Sequence, residues 1–148
     1  MPEVLAFSGP ALPLLELAKE NTPDGWNLHV RTRESAEEEI LEAAEIADFI
    51  LVFGLGVTDN VLRTATKTRL VQLCSAGYDG INLKLAGEMG IPVANNGGAN
   101  AIAVAEFAFT LLFSTMRHLV VTDSDTRGGG WMRPEVDGRD THELFGTT

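Results

Sequence analysis

The sequence predicts an α/β protein, a doubly wound parallel sheet of five strands with helices on both faces. Three observations predict it. Short apolar runs alternate five times with stretches of helical period. The connections are short and rich in Gly, Pro, Asn and Asp. The run DFILVF at 48–53 is continuously apolar after its first residue, the pattern of a strand buried on both faces. Parallel neighbours need crossover connections, and the intervening helices supply them.

The elements follow in order. Residues 4–7 are a short strand ended by Ser8-Gly9-Pro10, and 11–20 a helix with Leu14, Leu15, Leu17 and Ala18 at helical spacing. Residues 26–32 alternate as a strand. Residues 34–47 read as an amphipathic helix with Ala36, Ile40, Ala43, Ala44 and Ala47 inward. Its acid run, Glu34, Glu37, Glu38, Glu39, Glu42 and Glu45, is then a solvated face and not a metal or catalytic cluster. Strand 48–53 leads to a helix carrying Val61, Leu62 and Ala65, with Thr58 placed to cap it. A strand at 69–74, a helix at 83–89 and a strand at 91–94 complete the sheet, with a flavodoxin-like order 2-1-3-4-5 expected.

Residues 100–121 predict one long helix, apolar on nearly every side. Asn100, Glu106, Thr110 and Ser114 interrupt it, so it reads as a buried helix rather than a membrane span. Residues 122–148 are polar and glycine-rich and read as a linker or arm, with one helical turn at 141–144. The expected organisation is a domain over 1–121, including the long helix, and a linker over 122–148.

A formal net charge of -10 over 148 residues repels phosphates, so neither nucleic acid nor an anionic membrane is an expected partner. Cys74 is the only cysteine, which excludes an intrachain disulfide and makes a reducing compartment the default. Glu3 stands where a secretion signal carries basic residues. The expected location is cytoplasmic.

In sheets of this kind ligands bind beyond the carboxyl ends of the strands. That singles out the loops 8–10, 54–57, 75–79 and 95–100. Gly54-Leu55-Gly56 follows a strand and opens a helix, as a dinucleotide fingerprint does, but Asp59 occupies the third glycine position. No acidic residue ends the next strand to hold a ribose; Cys74 and Ser75 stand there. Leu73-Cys74-Ser75-Ala76-Gly77 approaches a nucleophile elbow, with Leu73 in place of the first glycine that the tight turn needs. Cys74 reads as a buried small hydrophobe. His29, His118 and His142 share no metal-ligand spacing, and no metal site is expected.

Two segments are more specific together. Ser75-Ala76-Gly77-Tyr78-Asp79-Gly80-Ile81-Asn82 follows a buried strand, and GIPVANNGGANAIAVAEF occupies 90–107. In order and spacing they resemble the N-terminal substrate domain of D-isomer-specific 2-hydroxyacid dehydrogenases. The resemblance is close over 70–117. Gly128-Gly129-Gly130-Trp131 and Glu143-Leu144-Phe145-Gly146 look like the family's approach to its nucleotide-binding domain.

The resemblance implies an NAD- or NADP-dependent oxidoreductase acting on a small 2-hydroxy or 2-oxo acid. It places the carboxylate on the backbone N–H groups of Ala76 and Gly77, a glycine-containing turn able to cradle an anion. It puts Asn100 near substrate and nicotinamide, with N-capping of the long helix as its other role. Val104, one turn on, would face the nicotinamide, and Leu55 and Gly56 would close the far side of the pocket. Tyr78 is bulkier than the small aliphatic residue common there and narrows the pocket. Many relatives carry proline near Gly97, so 95–98 is expected to be softer. The family's catalytic arginine, glutamate and histidine, its NAD fingerprint and the segment that returns to complete this domain all map beyond residue 148. The chain by itself is therefore expected to be inactive, to bind no cofactor alone and to associate with itself through the long helix. Two alternatives remain at this point: a non-enzymatic flavodoxin-like binding module, and a naturally short partner of a full-length dehydrogenase. A receiver-type module would end its first and third strands in acid, where Phe7-Ser8 and Phe53-Gly54 stand.

Overall fold

The computed structural model describes residues 1–9, 12–54, 56–130 and 141–146. The chain divides into two compact units, Met1–Ala99 and Asn100–Thr148. The first contains β1 (Glu3–Ser8), α1 (Leu12–Glu20), β2 (Asn27–Thr32), α2 (Glu37–Ile46), β3 (Phe49–Phe53), α3 (Asp59–Thr64), β4 (Leu70–Leu73), α4 (Leu83–Glu88) and β5 (Val93–Ala94). Its sheet runs β2-β1-β3-β4-β5 with every pairing parallel, as expected.

Alternation along the strands sorts the core onto two faces, because successive strand side chains point to opposite sides. Leu5, Ile50, Val52, Val71 and Leu73 pack with Ala43, Ala44, Val61, Leu62, Leu85 and Ala86 of α2, α3 and α4. Ala6 and Phe53 turn the other way, with Leu15 of α1. One face thus carries three helices and the other a single helix. On the α1 face an apolar trough of about 580 Å³ remains between Leu17, Trp26, Leu28, Phe49, Leu51 and Phe53. Trp26 stacks on Phe49 at 5.4 Å, with the Arg69 guanidinium 5.5 Å from the Phe49 ring.

The acid run of α2 is exposed, as expected of a solvated face. Glu37, Glu38 and Glu39 also occupy the first turn, where the helix dipole favours them. Thr58 caps α3, its hydroxyl accepting from the Val61 N–H at 3.3 Å. Asn82 caps α4 from Leu85 N–H and donates to Asp59, tying α4 to the start of α3.

The second unit corrects the expectation of one helix over 100–121. There are two, α5 (Ala101–Met116) and α6 (Leu119–Arg127), bent by 67°. His118 makes the bend in the left-handed region at φ 48°. The second helix enters what reads in sequence as linker. It is held there by an Asp123–Arg127 ion pair at 2.9 Å and by Thr122 and Thr126 hydroxyls donating one turn back. The helical turn expected at 141–144 is absent; 141–143 carry no regular structure and Leu144 lies in a bend. The expected burial of the long helix is also absent, since no residue of α5 is buried and Ile102 is 78% exposed. Its apolar residues surround the axis, and α6 can cover only one strip of them. No single helix among the described residues is long and apolar enough to cross a membrane.

Candidate functional site

The carboxyl edge of the sheet is level because Ser8 pairs with Phe53 and Val52 with Leu73. The ladder continues past the strand ends: Gly9 N–H donates to Phe53 O at 3.1 Å and Cys74 N–H to Val52 O at 2.9 Å. Asn96 N–H likewise donates to Ser75 O at 2.9 Å. The loops after β1, β3, β4 and β5 therefore leave the sheet from fixed points.

The loops after β3 and β4 are stitched together. Val57 N–H donates to Gly80 O at 2.8 Å, and Val57 and Ile81, both buried, form an isolated parallel bridge. This closeness explains the two glycines. Gly54 adopts φ +66°, a conformation that side chains resist. A Cβ on Gly56 would lie 2.7 Å from the Gly80 carbonyl oxygen. Gly56 thus faces a protein acceptor rather than a space for phosphate, and Asp59 adds a negative charge in the first turn of α3. The motif does not fit a dinucleotide.

Between these loops lies a cleft of about 330 Å³, lined by Gly54, Gly56, Leu73, Ser75, Gly77, Tyr78, Asp79 and Gly80. A second cleft of similar size, with Leu83, Val93, Ala94 and Asn95, shares Leu73 and Tyr78 with the first. Tyr78, 54% exposed, is the partition between them. Among the described residues, no Lys, Arg or His lines either cleft. His29 sits at the other end of the sheet, its Nε2 2.6 Å from Glu3 Oε2. No group of His, Cys, Asp or Glu among the described residues could hold a metal ion.

The turn after β4 has its carbonyls engaged and its amides spare. Ser75 O accepts from Asn96 N–H, Ala76 O from Asn95 Nδ2 at 2.7 Å, and Gly77 O from the Ser75 hydroxyl at 2.8 Å. Among the described residues none accepts from the N–H of Ala76, Gly77 or Tyr78. Ser75 is thereby a turn lock rather than a nucleophile. Cys74 is half-buried behind it, and burial raises its thiol above the ordinary range, as suits a packing residue.

Of the residues singled out in sequence, Gly56, Gly77 and Tyr78 meet around the first cleft, with Ala76 in the adjoining turn. Leu55 lies outside the described residues. Asn100 and Val104 belong to the second unit, at the start of α5. Asn100 makes no side-chain capping bond; its carbonyl accepts from Val104 N–H at 2.9 Å, and Val104 is 56% exposed. Sequence reasoning missed Asn95 and Gly80, whose partners come from other loops. The 95–98 loop, expected to be soft, is fastened at its start by two hydrogen bonds to the turn.

A parallel α/β sheet in the order β2-β1-β3-β4-β5, with clefts among the loops at its carboxyl edge, defines a doubly wound domain of flavodoxin-like order. The chain belongs to the D-isomer specific 2-hydroxyacid dehydrogenase family, whose catalytic-domain model matches residues 4–144. It is 31% identical over 121 residues to a glyoxylate reductase of Thermococcus gammatolerans, covering 78% of this chain and 36% of that protein. A crystal structure of a Pyrococcus horikoshii protein shares 28% identity at TM-score 0.67, over 90% of this chain and 39% of the other. An NAD+-bound 3-phosphoglycerate dehydrogenase of Entamoeba histolytica has the same fold at 18% identity and TM-score 0.63, covering 79% of this chain and 40% of that one. The chain spans about a third or less of the length of the first curated relatives it matches.

Proposed function

We infer that this chain is the substrate-holding part of an NAD- or NADP-dependent D-2-hydroxyacid dehydrogenase acting on a small 2-hydroxy or 2-oxo acid. The observation that carries this reading is the turn at 75–78, with three N–H groups left without a partner among the described residues beside a cleft. A carboxylate there would take hydrogen bonds to a charged group, worth about 1.5–3 kcal/mol each. Gly56 closes the far side, and Tyr78 limits what fits beside the carboxylate. The roles of Asn100 near the substrate and Val104 near the nicotinamide in the complete enzyme rest on the family resemblance alone.

A nicotinamide bound in the complete enzyme would supply the hydride chemistry at C2. This chain's own part is to hold the acid and fix its orientation. Among the described residues its clefts offer no histidine, arginine or lysine for proton transfer, and its glycine turn does not fit a pyrophosphate. This reading predicts that the 148 residues alone are inactive and bind no NADH. We place the protein in the cytoplasm, self-associating through α5. Two measurements test the reading. Calorimetric titration with NADH should give no binding, and low-micromolar affinity would overturn that part. Glyoxylate should move the Ala76, Gly77 and Tyr78 amide signals saturably in a nitrogen-15 spectrum. In Gly77→Val the new Cβ meets nothing within 4 Å, and the branched side chain crowds the amide. It should weaken glyoxylate binding roughly ten- to a hundredfold. Unchanged affinity would make the turn only a turn.

A further inference from the structure

We propose that Asn95 is a positioning residue for the substrate carboxylate, acting by clamping the Ala76–Gly77 peptide; this rests on the reading of the turn just given. A trans peptide is planar, so its C=O and N–H point in opposite directions. Fixing a carbonyl therefore aims the next residue's N–H. The turn is clamped this way three times. Asn96 N–H holds Ser75 O and so aims the Ala76 amide. The Ser75 hydroxyl holds Gly77 O at 2.8 Å and aims the Tyr78 amide. Asn95 Nδ2 holds Ala76 O at 2.7 Å and aims the Gly77 amide, the middle donor of the set. Asn95 lines the second cleft and not the first. The Gly77 N–H is thus sent away from Asn95, toward the side where Gly54 and Gly56 line the first cleft.

The donor chemistry is specific. Ala76 O needs a hydrogen-bond donor, and the clamp comes from another strand's loop, 19 residues away in sequence. Glycine at 77 supplies no side chain to stiffen the peptide, so without Asn95 that unit is free to flip its carbonyl toward the carboxylate. The cleft would then present an acceptor to an anion. Asn95→Asp is close to isosteric but puts an acceptor where the donor was, and Asn95→Ala removes it.

The test uses the 148-residue chain, with glyoxylate as probe and nitrogen-15 spectra as readout. In both variants glyoxylate affinity should fall about tenfold or more, the loss of one aimed contact to a charge. The Gly77 amide signal should shift in the free variants, with signals from α2 and α3 unmoved, which a general loss of structure would not give. In the unaltered chain the Asn95 side-chain amide protons should exchange slowly and show cross-relaxation to the turn. That measurement needs no variant, so it stands even where a substitution fails to fold; exchange as fast as a free asparagine overturns the proposal. Glyoxylate binding in the unaltered chain with equal affinity in Asn95→Asp also overturns it while leaving the turn's role intact. No saturable shift in the unaltered chain overturns the reading of the turn, and the positioning role with it.

Discussion

Gly56→Ala tests whether the cleft depends on the loops after β3 and β4 touching. The new Cβ would stand 2.7 Å from Gly80 O and 3.4 Å from the Gly80 Cα and carbonyl carbon. All three are backbone atoms, so no side chain can swing aside, and the loops must part by about half an ångström or more. Such overpacking costs about 1–3 kcal/mol. Parting also stretches the 2.8 Å bond from Val57 N–H to Gly80 O, whose loss adds about 1 kcal/mol. The expected destabilisation is about 2–4 kcal/mol, a large share of the stability of a domain this size. Urea unfolding followed by far-ultraviolet circular dichroism measures it. Gly77→Ala is the comparison, since nothing lies within 4 Å of its Cβ. It should fall within about 0.5 kcal/mol of the unaltered chain. Gly56→Ala as stable as the parent, or Gly77→Ala as damaging, would refute the reasoning.

Three further outcomes follow from other sites. Hydrogen bonds from His29, then Asn27, hold the Glu3 carboxyl below its ordinary 4.5, so its contribution is present above that pH and is lost as pH falls through the folded-state value. Urea midpoints above and below pH 4.5 should show an acid-side slope that Glu3→Gln reduces; identical slopes would contradict the assignment. Asn82→Ala removes both the α4 cap and the tie to Asp59 and should cost about 1–2 kcal/mol by the same assay, against no change if the cap is incidental. Phe109 and Phe113 stack on α5 at 6.3 Å, 54% and 46% exposed, so the chain should bind a hydrophobic dye or self-associate. Changing both to Glu should abolish this with the fold intact. A parent chain that is monomeric by light scattering and binds no dye would count against it.

The sheet was legible in sequence because each strand–helix unit carries its own period and its own punctuation. DFILVF, the Thr58 cap and the solvated acids of α2 are local signals, and all three appear where expected. The α5–α6 break was not legible. Bends are normally marked by Gly or Pro, and Arg117-His118 offers neither. Nor does α6 announce itself, since its ion pair and threonine back-bonds replace the apolar period that identifies a helix. At the cleft, glycines could be suspected of close approach, but what they approach was hidden. Gly80 O comes to Gly56 from a neighbouring loop, and Asn95 reaches Ala76 across the sheet edge. Such partners depend on the path each loop takes beyond its strand, which sequence spacing alone does not encode.

The trough on the α1 face bears on the order of events during synthesis. Helices α2, α3 and α4 all pack on the opposite face, so none of them can fill it. A parallel sheet needs cover on both faces. Within the Met1–Ala99 unit α1 alone lies on this side, and Leu28, Phe49 and Leu51 stay only partly buried. A ribosome-bound chain that has completed this sheet therefore carries an open apolar furrow while it waits, with Trp26 and Phe49 at its edge. Completing β5 thus completes the sheet while its α1 face still presents apolar side chains, the condition that exposes a nascent protein to aggregation.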